Sequence, residues 1–202
     1  MNQNNCCYGF EKMDKQMQYN HLPFPMPKRS HSLIQQWKNL TFLHWEVNQE
    51  KLKPYLPDGV EIDLFKGKAF VGVIPFQMKN VRPRFFPSVP GISTFPEFNI
   101  RTYVKYKGKQ GVLFLTLDAQ SRITCAYAPK AYGLPYNYAK CKLKINGNKY
   151  EWESNRSING FELKGSSIAK GEEMQAKVGT LEEFLFERYS LYVTHKDKAK
   201  MA

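Results

Sequence analysis

Acidic residues are scarce in this chain of 202: eighteen Asp and Glu stand against thirty Lys and Arg, a formal net charge of +12. Cysteine is scarcer. The four, Cys6, Cys7, Cys125 and Cys141, form no CxxC pair, so neither a zinc site nor a disulfide framework is indicated. Cys125 and Cys141 sit among apolar residues and read as reduced core thiols. The histidines never join carboxylates at ligand spacing, so no metal and no cofactor is expected. No stretch approaches the roughly 18 apolar residues of a membrane span. The start lacks the apolar run of a secretory signal. There is no internal repeat, no glycine-rich phosphate loop, and no zinc-finger or RNA-recognition signature. These absences describe a soluble, reducing, cytoplasmic protein without a membrane partner.

What is present can build a core. Hydrophobic residues make up 42% and aromatics 14%, enough for one domain at this length. The excess of basic charge suits an acidic partner. Its distribution points elsewhere: Lys105, Lys107 and Lys109 alternate with other residues, as do Lys140, Lys142 and Lys144. Alternate lysines on a strand are its solvated face and guard an edge against pairing. No basic run of five appears, so nucleic acid is disfavoured as a partner.

Met1–Arg29 is a polar leader in which Phe10, Met13 and Met17 have the spacing of one short helix. It ends in alternate prolines that favour an extended segment. Strands are expected over Asn39–Val47 and, as a hairpin around Lys66-Gly67, over Glu61–Phe65 and Lys68–Lys79. Asn48 should cap a helix Gln49–Leu56. Pro75 calls for an edge or a bulge. Val81–Thr94 reads as a loop whose Arg82, Arg84, Phe85 and Phe86 either lid a cavity or tuck their aromatics underneath. Gly111–Ala119 is a central strand. Ser121 and Gly133 should bound a helix Arg122–Tyr132. Asn146-Gly147 and Asn159-Gly160 are hairpin turns, and Thr180 with Glu183 is a capping box. A last strand, Tyr189–Thr194, precedes a polar tail.

The middle stretch, Phe95–Tyr106, is the most informative. Phe98, Ile100, Thr102, Val104 and Tyr106 share one parity. Glu97, Asn99, Arg101, Tyr103 and Lys105 share the other. Strict alternation marks a strand. Its polar face either meets water or lines a pocket, and the shared parity of Lys105 and Lys107 favours water. Glu97 and Arg101 lie roughly 13 Å apart between Cα atoms, too far to pair along the strand.

Several stretches together resemble one bacterial family: Leu40-Thr41-Phe42-Leu43-His44-Trp45, Leu56-Pro57-Asp58-Gly59-Val60-Glu61-Ile62-Asp63, Val71-Gly72-Val73-Ile74-Pro75-Phe76, Phe95 to Val104, and Gly133-Leu134-Pro135-Tyr136. The chain from about Trp37 to Tyr192 is similar to the YqjF-like family of uncharacterised proteins, a domain of unknown function in the acetoacetate-decarboxylase-like superfamily. The resemblance implies a mainly β or α+β fold, in which a curved antiparallel sheet closes as a barrel or cone around a central cavity, with two or three short helices. It also implies a place for the Schiff-base lysine of the decarboxylases, after a Gly-x-Pro turn. Tyr136 and Asn137 stand there, and a phenol cannot form an imine. The family pattern continues past Tyr189–Val193, so this end reads as a truncation that leaves a sheet edge or part of the cavity open.

The expected organisation is a loosely ordered leader over residues 1–31, one β domain over 32–195 and a tail over 196–202. In a cavity, Glu97, Asn99, Arg101, Tyr103 and Tyr136 would bind a small anionic or carbonyl ligand. Arg101 would fork a carboxylate, and Glu97 and Tyr136 are the catalytic candidates. His44 reads as a sheet histidine bonded to backbone, and Asp118 as a cap or a partner of Arg122. The alternatives are a structural or interaction domain with a filled interior and, behind it, a nucleic-acid binder. Oligomeric state is left open.

Overall fold

A computed structural model describes Pro25, Lys28, Ser30–His195 and Lys198–Met201, with side chains through Val193. The loose order expected of the leader, its short helix and the Cys6–Cys7 pair lie outside the described residues. Residues from Ser32 onward form one compact unit.

The frame is a nine-stranded sheet. Its strands are β1 (Leu33–Lys38), β2 (Leu43–Val47), β3 (Glu61–Ile62), β4 (Ala69–Pro83), β5 (Phe95–Tyr106), β6 (Lys109–Ala119), β7 (Tyr136–Tyr138), β11 (Leu191–His195) and β12 (Lys198–Met201). The path runs β1-β4-β5-β6-β11-β12, with β2 on β4, β3 on β5 and β7 on β6. Three further strands, β8 (Lys140–Asn146), β9 (Lys149–Asn155) and β10 (Glu162–Ile168), make a separate sheet. The architecture is mainly β with two short helices, α1 (Arg122–Tyr132) and α2 (Leu181–Phe186). No described helix is long and apolar enough to cross a membrane.

Several expectations are corrected. The large sheet does not close: β1 and β12 end its path, and β8–β10 form a sheet of their own. Nor is it purely antiparallel, because β7 and β11 both join β6 in parallel. A parallel neighbour needs a long crossover, and α1 provides one between β6 and β7. Glu61–Ile62 pairs with β5 rather than with β4, and only the Phe65–Lys68 bridge remains of that expected hairpin. Two 3-10 turns, Gln49–Lys51 and Lys53–Tyr55, replace the helix after Asn48. Pro54, which cannot donate, interrupts it. Within the stretch read as a tail, Lys198–Met201 pairs back on β11.

Pro75 shows how β4 tolerates a proline inside a central strand. On one side β4 pairs continuously with β5. On the other, β1 stops opposite Gln77 and β2 starts opposite Val73. Pro75 faces the gap, where its carbonyl accepts from Thr41 N at 3.0 Å and no ladder bond is lost.

The second sheet covers the outer face of β5, where Phe98 packs with Ala139, Cys141 and Trp152. Asp118, opposite Phe98 in the register, points into this layer. It accepts from Ser154 Oγ at 2.7 Å and pairs with the Arg156 guanidinium, both buried. Arg122 is not its partner, which corrects that expectation; Arg122 instead lies over the Tyr138 ring. Cys125 and Cys141 are free, and burial pushes their thiols up to about 11 and about 12.

Gly111 marks where β11 meets β6. An added Cβ would stand 2.4 Å from the Ser190 carbonyl oxygen, the oxygen that accepts from Val112 N. Gly111→Ala should therefore cost about 2 kcal/mol. The effect should appear as a lower urea midpoint at unchanged slope; an unchanged midpoint would mean this contact is not made.

Candidate functional site

The polar row of β5 does not face bulk water. Glu97, Asn99, Arg101 and Tyr103 are each at most 6% exposed. The strand lies between β4 and β6, and its polar face is covered by α2 and the segment leading into β11. Only from Lys105 onward does the parity reach solvent, where Lys105 pairs with Glu61 at 3.3 Å.

Neighbouring strands complete the face. Opposite Glu97, Asn99 and Arg101, β4 places Phe76, Ile74 and Gly72. Across β6, the register shifts between Ile100 and Arg101, so that Arg101 faces Phe114. A bulge of this kind re-aims side chains locally.

Glu97 and Tyr136 meet. The Tyr136 hydroxyl donates to Glu97 Oε2 at 2.9 Å, because β7 runs beside β6 with Tyr136 opposite Leu117. Burial pushes the Glu97 carboxyl up to about 8, although the bond from Tyr136 pulls the other way. At neutral pH it is mostly a neutral acid. Burial and then the Glu97 charge raise the Tyr136 phenol, so Tyr136 keeps its proton and stays a donor.

Arg101 has no carboxylate within 4.0 Å among the described residues. Its Nη2 donates to Leu185 O at 3.1 Å and to Tyr103 Oη at 3.3 Å, while Nε has no partner. Phe42 and Tyr103 present ring faces at 5.4 and 5.6 Å. Leu185 O is available because α2 ends there, and terminal carbonyls lack an intrahelical donor. The amide of Asn99, fully buried, has neither its Nδ2 nor its Oδ1 satisfied.

Tyr103 donates to Leu185 O at 3.1 Å and bonds His44 Nε2 at 2.7 Å. His44 is thus held by a phenol, not by backbone, which corrects that reading. Gly72, opposite His44 in the register, makes the room: an added Cβ would lie 3.0 Å from the imidazole. Burial and then the Arg101 charge lower His44 to about 4, so it stays neutral. Arg188 completes the cluster, with Nη1 on Asp63 at 2.7 Å and Nε donating to Phe184 O at 2.6 Å. Nothing in the local pattern singles out Asp63 or Arg188; the two are far apart in the chain, and only the closed fold joins them.

A cavity of about 730 Å³ opens on this face. Glu97, Arg101 and Tyr136 line it, and so do Arg188 and Phe95. Asn99 and Tyr103 are not among its walls; they stand behind. The loop after β4 contributes Phe86, Val89 and Ile92. Phe85 and Phe86 are 86% and 64% exposed, so they do not tuck under the loop, and Phe86 stands at the mouth. Arg82, also in the wall, donates to Phe86 O at 3.3 Å. Among the described residues, no lysine lines the cavity and no cluster of metal-ligating side chains occurs.

Comparison with known proteins agrees with this architecture. The chain is 37% identical over 167 residues to the uncharacterised protein YqjF of Bacillus subtilis strain 168, covering 81% of this chain and 68% of that one. It superposes on the acetoacetate decarboxylase of Legionella pneumophila with a TM-score of 0.60 at 14% identity, covering 90% and 70% of the two chains. An acetoacetate decarboxylase-like enzyme of Sphingomonas wittichii RW1 gives a TM-score of 0.62 at 13% identity, covering 89% and 76%. These structures share the fold. The model of the DUF2071 family matches residues 34–202, and the chain belongs to that family of uncharacterised conserved proteins, built on an acetoacetate-decarboxylase-like fold.

Proposed function

We propose that this protein binds a small organic acid in the cavity, as a binding protein or an enzyme that works without a Schiff-base lysine. The observation that carries the reading is Arg101: a buried guanidinium in a cavity wall, with no carboxylate partner among the described residues. A buried cation is costly unless paired, and a carboxylate ligand fits its fork. Asn99, with an unsatisfied amide behind the wall, adds unspent hydrogen-bonding capacity beside it.

Further along the strand, Glu97 and Tyr136 supply the polar end. A neutral carboxylic acid can donate a proton to a carbonyl or enolate oxygen, and the phenol can hold the same oxygen by a hydrogen bond. The described walls hold no lysine that would form an imine, which supports chemistry of this acid–base kind. We place the protein in the reducing cytoplasm, consistent with its free thiols.

The purely structural reading draws on one observation, that Arg101 and Tyr103 both donate to Leu185 O at the end of α2. The nucleic-acid reading is weakened by the strand lysines, two of which, Lys105 and Lys142, pair with carboxylates on neighbouring strands.

Thermal unfolding with acetoacetate and with short monocarboxylates tests the proposal. Saturating ligand at about a hundred times Kd should add roughly 2.7 kcal/mol, and Arg101→Met should abolish the gain. Equal stabilisation of parent and variant, or none by any acid, would refute it.

A further inference from the structure

We infer that the acid is an amphiphile, with a carboxylate on Arg101 and an apolar tail of about six or more carbons running to the cavity mouth; this rests on the binding reading above. The first support is length. Phe95 and Arg101 both line the cavity and lie six positions apart on one strand, a span of roughly 20 Å. A two- to four-carbon acid on Arg101 would leave most of that span untouched. The second is volume, since about 730 Å³ is room for roughly two dozen waters.

The third support is the order of chemistry along the wall. Arg101 and Arg188 are deep on the β5 face, with Glu97 between Arg101 and Phe95. Beyond them the wall is mainly apolar: Trp37, Met78, Phe95 and Leu134, then Phe86 and Ile92 at the rim, where Arg82 is the one charged side chain among the described lining and is turned to the Phe86 carbonyl. Phe86 and Ile92 remain 64% and 45% exposed, a concentration of apolar surface at one opening. The fourth is charge. Asp63 offsets Arg188, Arg101 has no counter-ion among the described residues, and Glu97 is mostly neutral, so the described side chains at this end carry one surplus positive charge. That fits a monoanionic head.

Calorimetry with butanoate, octanoate and decanoate tests this, with decanol and decylammonium as head-group controls. Each buried methylene should tighten binding up to roughly fourfold, so decanoate should exceed butanoate by at least about a hundredfold. Decanol should bind at least about tenfold more weakly than decanoate, and decylammonium not at all. Ile92→Asp, at the rim, should flatten the chain-length dependence. Butanoate and decanoate within about threefold of each other, both lost in Arg101→Met, would overturn the tail while sparing the binding reading. Decanol equal to decanoate would overturn the head-group assignment. Failure of every acid at millimolar concentration would overturn both.

Discussion

Glu97→Gln should make this protein more stable at pH 8, not less. In the folded chain the Glu97 carboxyl is pushed from 4.5 up to about 8 by burial. Between those values the native state keeps a proton that the unfolded chain has released. Stability then falls as pH rises, by about 1.4 kcal/mol per unit from this group alone, or roughly 3–5 kcal/mol across the window. Below the unfolded value both states are protonated and the group contributes nothing. Glutamine preserves an acceptor for the Tyr136 hydroxyl and has no proton to lose. Its stability curve should be flatter from pH 5 to 9, and the two proteins should converge at the acid end. His44 acts in the opposite sense. It is neutral in the fold, lowered from 6.5 to about 4, so stability drops as pH falls through that interval. The parent should thus peak at about pH 5.5, where the two slopes cancel, and the variant should hold its maximum to higher pH. Urea midpoints at unit pH steps would decide; parallel curves would show that Glu97 titrates normally and is not a neutral acid.

The same residue shows how far the sequence could be read. Alternation across Phe95–Tyr106 identified the strand and set Glu97, Asn99 and Arg101 on one face, because a two-residue period is a local property. Ser121 and Gly133 bounded α1 for the same reason: caps are local chemistry, and Ser121 Oγ accepts from Thr124 N at 3.2 Å while Gly133 takes a φ of 71°. What covers the polar face was not legible. Lys105 and Lys107 share its parity and suggested water, yet cover arrives from α2 and Arg188, some 80 residues downstream by the Tyr103–Leu185 bond. Strand partners were equally hidden. The turn at Lys66-Gly67 forms, but β3 pairs with β5, because pairing is settled by the whole sheet rather than by one turn. The pairing of Asp118 with Arg156 arises between two sheets, and no spacing within either strand announces it.

Arg101→Met separates a ligand site from a structural clamp by the sign of its effect. Methionine fills much the same elongated space and adapts to it. The guanidinium gives up a charge-assisted bond to Leu185 O, of order 1.5–3 kcal/mol, together with a longer bond to Tyr103 Oη and its contacts with the Phe42 and Tyr103 rings. The Leu185 carbonyl is not orphaned, since the Tyr103 hydroxyl also donates to it at 3.1 Å. In return the fold sheds a buried charge with no counter-ion, whose desolvation is of order several kcal/mol, and an unsatisfied Nε. It also relieves Arg188, whose guanidinium the Arg101 charge disfavours. The expected balance is a gain of about 1–2 kcal/mol, together with a loss of acid binding of roughly a hundredfold or more. His44 should move up from about 4, which its imidazole resonances would report. A function-bearing residue that costs stability is what a preformed anion site requires, because the ligand supplies the missing charge. If Arg101→Met instead lost about 3 kcal/mol or more, the guanidinium would be holding α2 against the sheet, and its lack of a carboxylate would no longer point to a ligand.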